Sequence, residues 1–176
     1  MRPATALSRQ AVWGLMALAS FGAVAGAWVA QHYADMQPCP WCVLQRLIYL
    51  LIGAVSLLAA TLPAPAAGGV AAGIGRLGTL TSGVLAALLA LAGAAAALYQ
   101  NQVAAKSPSC NLTLADRIVS GLGLDVAVPD LFEARASCAD AAVALLGVPF
   151  ELWGMALYLA LLAAAVWQIR VAARQP

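Results

Sequence analysis

Four apolar runs dominate the chain: Ala11 to Ala30, Val43 to Leu62, Leu77 to Leu98, and Phe150 to Ile169. Each has the roughly 20 residues that a helix needs to cross the hydrocarbon core of a bilayer. None contains an acid except Glu151 at one edge, and only Arg46 places a base inside a run. Ten residues precede the first run. A short polar link, Gln31 to Trp41, separates the first two, and a Pro-, Gly- and Ala-rich link, Pro63 to Arg76, separates the next two. The remaining connection, 99–149, is long, carries half of the charged residues, and has nothing apolar enough to span. Within it Leu114, Ile118, Val119 and Leu122 share one helical face opposite Asp116 and Arg117, which suits either a short helix lying on the membrane interface or an ordinary loop helix. The pattern predicts an all-α fold: one membrane domain, residues 1–176, built as an antiparallel four-helix bundle with a long second outward loop.

Composition agrees. The chain is 64% hydrophobic and 9% charged, against about half apolar and a quarter charged in soluble domains. A mean hydropathy of +0.89 excludes disorder. A net charge of +2, from nine Lys and Arg, leaves no basic surface for nucleic acid.

Lys and Arg in short loops stay on the cytoplasmic side. Arg2, Arg9, Arg76, Arg170 and Arg174 fall together on one side. The other holds Lys106, Arg117, Arg135 and every acid: Asp35, Asp116, Asp125, Asp130, Glu133, Asp140 and Glu151. Both termini are therefore expected in the cytoplasm, with loops 31–41 and 99–149 facing outward. A cleaved signal peptide is the rival reading of the N-terminus, but the first apolar run exceeds the usual 7 to 15 or so residues of such a segment.

All four cysteines, Cys39, Cys42, Cys110 and Cys138, lie on the outward side by this topology, which in a bacterial inner membrane is the oxidising compartment. Cys39 with Cys42, and Cys110 with Cys138, pair naturally by position, although four cysteines permit three connectivities. The first two form Pro38-Cys39-Pro40-Trp41-Cys42 at the start of the second span. A staple closing so short a loop gains little, so reactivity is the better reading. Metal binding is disfavoured because one lone histidine supplies too few further ligands. Pro40 suits the first position of a helix. That puts Cys39 near the cap and Cys42 in the first turn, where free amides and the helix dipole stabilise a thiolate.

At about 100° per residue, Cys39, Cys42 and Arg46 lie in one stripe of the second helix, and Gly53 continues it two turns deeper. Arg46 could snorkel to the interface. Below a reactive pair it has a use, stabilising a thiolate and the charge developing on an acceptor. No nucleotide fingerprint, haem attachment motif or iron–sulfur spacing appears, so the electrons are expected to leave through a lipid-soluble quinone approaching the Arg46 and Gly53 face.

These residues resemble the disulfide bond formation protein B (DsbB) family of inner-membrane thiol:quinone oxidoreductases. The resemblance runs over nearly the whole chain: four spans; Gln31-His32, then Cys39-Pro40-Trp41-Cys42 and Arg46; Pro108-Ser109-Cys110; Val128-Pro129-Asp130-Leu131-Phe132; Cys138-Ala139-Asp140; Gly147 and Trp153. It implies that a periplasmic DsbA-like thiol oxidant attacks Cys110 and opens a Cys110–Cys138 disulfide. The freed Cys138 then attacks Cys39, and the Cys42 thiolate passes electrons to ubiquinone or menaquinone beside Arg46. Some members carry His or Arg several residues before the position aligned with Gln100, where this chain has Ala94 to Leu98, so Gln100 is the remaining candidate for a second quinone contact. The family's Pro near the residue aligned with Trp153 is displaced here to Pro149.

His32 reads as a headgroup-level anchor or a proton donor. Trp13, Trp28, Trp41, Trp153 and Trp167 read as interfacial belt residues, and Gly22, Gly26, Gly83 and Gly93 as sites of close helix packing. Two rivals stand beside the oxidoreductase. A vitamin K epoxide reductase-like protein usually places its CxxC near a later span, and a tetraspan scaffold with bracing disulfides has no need of Arg46 below the CxxC.

Overall fold

The computed structural model describes residues 8–63, 69–106 and 113–174. Four long helices, α1 (Arg9–Tyr33), α2 (Pro40–Thr61), α3 (Gly69–Gln102) and α7 (Phe150–Ala173), form an all-α membrane bundle. All four are long and apolar enough to cross a bilayer. Between α3 and α7 lie a single 3-10 turn (Ala104–Lys106), α4 (Leu114–Gly121), α5 (Leu124–Ala127), α6 (Pro129–Phe132) and a two-stranded hairpin, β1 (Ala144–Leu145) with β2 (Val148–Pro149). Helices α1 and α2 begin before their apolar runs, where the Ser8 and Cys39 side chains cap them. The Ser8 hydroxyl accepts the Ala11 amide at 3.2 Å to open α1, and α7 starts at Phe150, directly after Pro149. With 34 residues, α3 is about 51 Å long, well beyond the roughly 30 Å hydrocarbon core.

Consecutive long helices pack against each other, α1 on α2, α2 on α3 and α3 on α7. The seam of α3 is built from small residues, Gly83, Ala86, Ala90, Gly93 and Ala97, all buried. Their alternating spacing of three and four is the period at which one helix keeps facing another. Ile169 of α7 fills the space over Gly83, where a Cβ would meet its Cγ1 at 2.6 Å, and the Tyr158 ring sits directly over Gly93. Gly83 and Gly93 thus serve close packing, but Gly22 and Gly26 do not: a Cβ at either would have nothing within 4 Å. Trp13 also departs from expectation. It is fully buried in the core instead of lying in an interfacial belt, because it falls on the inward face of α1 with Met16, Ser20 and Val24.

At the end that carries both described termini, the Arg9 guanidinium ties three parts of the chain together through Thr79, the Gly75 carbonyl and the Pro63 carbonyl. The Gln168 amide donates to the Arg9 carbonyl at 2.9 Å. At the opposite, cysteine-bearing end, α4 is set by a reciprocal cap in which Thr113 and Asp116 satisfy each other's backbone amides. Ala115 and Val119 of α4 turn inward, and Val119 packs with Val43 and Phe132. Leu114 and Leu122 remain outward. The expected apolar face is therefore divided, one edge seated on α2 and the other exposed.

Candidate functional site

The site is assembled around the N-terminus of α2. Cys39 is the residue before the helix, in extended conformation, and its sulfur accepts the Cys42 backbone amide at 3.3 Å. Pro40 follows at the first helical position, where its fixed φ fits and its missing N–H costs nothing. The cap brings the Cys39 and Cys42 sulfurs to 2.6 Å. Cys39 is fully buried, whereas Cys42 is half-buried.

The Cys138 segment is laced onto this cap by backbone bonds. The amides of Arg135 and Ala136 both donate to the Pro38 carbonyl, at 2.9 and 3.3 Å. Cys138 is buried with its sulfur within reach of the Cys39 thiol and of the Trp41 amide. The hydrogen bond with Cys39 holds the Cys138 thiol below its ordinary titration range, against the opposing effect of burial. The same bond, a second one to Cys42, and burial push Cys39 up. The two thiols are thus pushed in opposite directions, Cys138 down and Cys39 up.

Gln100, from the end of α3, reaches the other side of the pair, where its amide N–H donates to the Cys42 sulfur at 3.3 Å. Its carbonyl accepts from the Gln45 amide at 2.7 Å. Gln45 was not singled out by sequence. A polar residue one position before Arg46, inside an apolar run, is the signal that marks it. Tyr158 donates to the Gln45 carbonyl at 2.8 Å and Tyr49 to the Gly154 carbonyl at 2.7 Å, the two rings stacked 4.1 Å apart. Beside them Asn101 donates to Glu151 at 2.9 Å, which gives that buried carboxylate a partner.

Arg46 lies one turn below Cys42 and is buried, not snorkelled outward. One guanidinium nitrogen donates to the Gln31 side chain at 2.8 Å and to the Leu131 carbonyl at 3.1 Å, and the other terminal nitrogen donates to the Ala27 carbonyl at 3.4 Å. Three of its five N–H groups are thus committed to α1 and α6. Gln31, another residue not assigned a role by sequence, continues the link by donating to the Asp130 carbonyl at 3.3 Å. Gly53 does not offer the open approach expected of it, because Phe21 of α1 covers it so closely that a Cβ would meet the ring at 2.8 Å. His32 is exposed, held by Trp28 through its carbonyl at 2.9 Å and through ring contact at 4.2 Å, with Asp130 at 3.7 Å. Cys110, and with it the expected Cys110–Cys138 pair, lies outside the described residues.

Chemically, the arrangement is a row of three sulfurs with Cys39 in the middle. Were Cys39 and Cys42 joined in a disulfide, attack by Cys138 on Cys39 would form a Cys138–Cys39 bond and expel Cys42, whose charge would be received by the Gln100 amide and the helix N-terminus. Comparison with known proteins matches residues 9–168 to the family model described as Disulfide bond formation protein DsbB. The chain is 31% identical to "Disulfide bond formation protein B" of Dechloromonas aromatica over 163 residues, covering 89% of this chain and 90% of the relative. It is 34% identical to the protein of that name from Ralstonia nicotianae, covering 80% and 81%. The Neisseria gonorrhoeae protein of that name is 32% identical, covering 93% and 96%.

Proposed function

The chain belongs to the DsbB family of disulfide bond formation proteins, and from that membership and the sulfur geometry we propose that it is a protein-dithiol:quinone oxidoreductase. Its proposed donor is a reduced DsbA-like thiol protein of the periplasm and its acceptor is membrane ubiquinone or menaquinone. The observation that supports it is that Cys138 lies against Cys39 while Gln100 attends Cys42, an order of neighbours that suits exchange running through Cys39.

In this reading the partner's thiolate attacks Cys110 of a Cys110–Cys138 disulfide, forming a mixed disulfide and freeing Cys138. Cys138 attacks Cys39 of a Cys39–Cys42 disulfide, and Cys42 leaves as a thiolate. The partner's second thiol releases it oxidised, and Cys110 then attacks Cys138, restoring their bond and freeing Cys39. Two electrons and two protons from Cys39 and Cys42 pass to the quinone as their disulfide reforms, so one partner dithiol becomes a disulfide and one quinone a quinol. Quinone supplies the two-electron sink. The chain supplies a half-buried Cys42 with the Gln100 amide on it and, one turn below, Arg46, two of whose N–H groups have no partner among the described residues, a donor set that suits a neutral carbonyl gaining negative charge. The reading puts the cysteine end in the periplasm and both termini in the cytoplasm of the inner membrane, in keeping with the distribution of Lys and Arg.

Given a reduced partner whose second, resolving cysteine is replaced by serine, the chain should accumulate a mixed disulfide between Cys110 and the partner's remaining cysteine as the Cys110–Cys138 bond opens. The unsubstituted protein should reduce quinone only when a partner with both thiols is supplied. A complex through Cys39 or Cys42 would reverse the proposed order, and no reduction of either quinone type would favour a bracing scaffold.

A further inference from the structure

The hairpin between the Cys138 segment and α7 has a composition that water does not explain. No charged residue occurs from Ala141 through Phe150. The two strands pair Ala144 with Pro149 and Leu145 with Val148, leaving Leu146 and Gly147 as the turn. Both turn residues have positive φ, 55° and 79°, as a two-residue turn of this hand requires. Asn or Asp occupies the first of these positions readily, because a short polar side chain tolerates the left-handed conformation. Leucine does not. Leu146 is nevertheless there, 86% exposed, with Val143, Leu145 and Val148 partly exposed behind it.

The level of the hairpin is fixed by α7. Phe150 donates its amide to the Val143 carbonyl at 2.9 Å, and the Trp153 indole N–H donates to the Leu145 carbonyl at 3.3 Å. Trp153 is itself partly exposed in the first turn of a membrane-spanning helix, the depth at which amphipathic rings prefer the headgroup region. The apolar hairpin is thus continuous with the lipid-facing surface of α7. A full descent into hydrocarbon is excluded because a two-stranded hairpin leaves edge amides and carbonyls unpaired, and these need water or headgroups.

We infer that the Leu146 tip is a lipid anchor. It inserts at the boundary of headgroups and acyl chains in the leaflet at the cysteine end, and holds the Cys138 segment at the depth of the α2 cap. The occupant is phospholipid. The exposed leucine is apolar, its neighbours are uncharged, and the surface it extends already faces the bilayer.

The test uses the full chain in phosphatidylcholine nanodiscs with methyl-labelled leucines, the Leu146 resonance being identified by its absence in Leu146→Met. A lipid carrying a nitroxide near its headgroup should abolish the Leu146 methyl signal, while a water-soluble gadolinium chelate should leave it. Loss of the signal with gadolinium and survival with the nitroxide lipid would overturn the anchor. So would protection from gadolinium that appears only when a reduced DsbA-like protein is added, which would make the tip a protein-docking surface. Leu146→Asp provides a second reading, since a charged tip should leave the interface and make the Leu145 methyls newly sensitive to gadolinium. Unchanged Leu145 protection in that variant would mean that something other than the tip holds the hairpin.

Discussion

Replacing Arg46 separates two things the residue does at once. Its guanidinium holds the Leu131 carbonyl and the Gln31 side chain, and so braces the segment that ends in Cys138. It is also the buried cation one turn below Cys42. Arg46→Met keeps most of the stem and removes every donor. A hydrogen bond to a charged group contributes about 1.5 to 3 kcal/mol, so losing the Leu131 tether alone weakens docking of the Cys138 segment by roughly ten- to 150-fold. The Arg135 and Ala136 amides still hold the Pro38 carbonyl, which keeps the expected effect at the low end. Transfer of the disulfide from Cys39–Cys42 to Cys138 should slow by about tenfold. In the proposed reaction, delivery of electrons to quinone would lose a donor to developing charge, a contribution of about 2.7 to 4 kcal/mol, and should fall by roughly a hundred- to a thousandfold.

Arg46→Lys restores the charge but offers a compact ammonium in place of the planar fork. It should recover part of quinone reduction and little of the tether. The assay is rapid mixing with the two half-reactions followed separately: thiol trapping for arrival of the disulfide at Cys138, and absorbance for quinol formation. A normal exchange rate in Arg46→Met would refute the bracing role and leave charge alone. Equal losses in both steps, accompanied by a lower unfolding temperature of the bundle, would make Arg46 a support of the fold and refute its selective part in electron transfer.

Two further outcomes follow from the sulfur row. Because Cys138 titrates below an ordinary thiol, its reaction with iodoacetamide should hold its rate as pH falls through the usual thiol range near 8.5 and decline only below its own lowered pKa. Cys39→Ala removes the donated hydrogen bond and should move that decline to higher pH, and an unmoved profile would show that Cys39 does not set the charge. Gln45→Met releases the Gln100 carbonyl, so the amide facing Cys42 is no longer fixed; quinone reduction should slow by roughly two- to tenfold, the worth of one hydrogen bond. The double variant with Gln100→Met should be no slower than Gln100→Met alone, and additive losses would place the two residues in separate roles.

How far the sequence was legible depends on whether a feature is local. The four spans, the cap at Cys39, Pro40 at the first helical position and the turn between Cys42 and Arg46 are all set by residues within a few positions of one another, and all were readable. The contacts of Arg46 were not, because Ala27, Gln31 and Leu131 approach it from other elements and nothing in their spacing announces it. Gln45 was hidden by the neighbouring arginine. Trp13 was misread because a tryptophan near a span end resembles a belt residue, and only the packing of α1 decides which way its ring turns. Gly53 was misread for the reason that makes small residues ambiguous in membranes: the space a missing side chain leaves serves a ligand or a neighbour equally well, and here Phe21 takes it.

In the proposed reaction, the burial of Cys39 sets the route of the electrons. It has no exposed surface and stands between Cys42, 2.6 Å away, and Cys138. A sulfur so enclosed cannot meet a partner protein or a lipid-soluble acceptor directly, so any redox exchange through it must enter by one neighbour and leave by the other. Cys138 rides on a segment that loop 99–149 connects to the region of Cys110. Cys42 lies inside a spanning helix, half-buried, with the Gln100 amide on it and Arg46 one turn deeper. In that reaction, charge arriving from the loop side would be handed to a sulfur that the Gln100 amide supports at membrane depth, where an unsupported thiolate would be costly. Under the proposed function the enclosed middle sulfur would keep the two substrates apart: a protein would reach one end of the row and a quinone the other, and neither would bypass the relay.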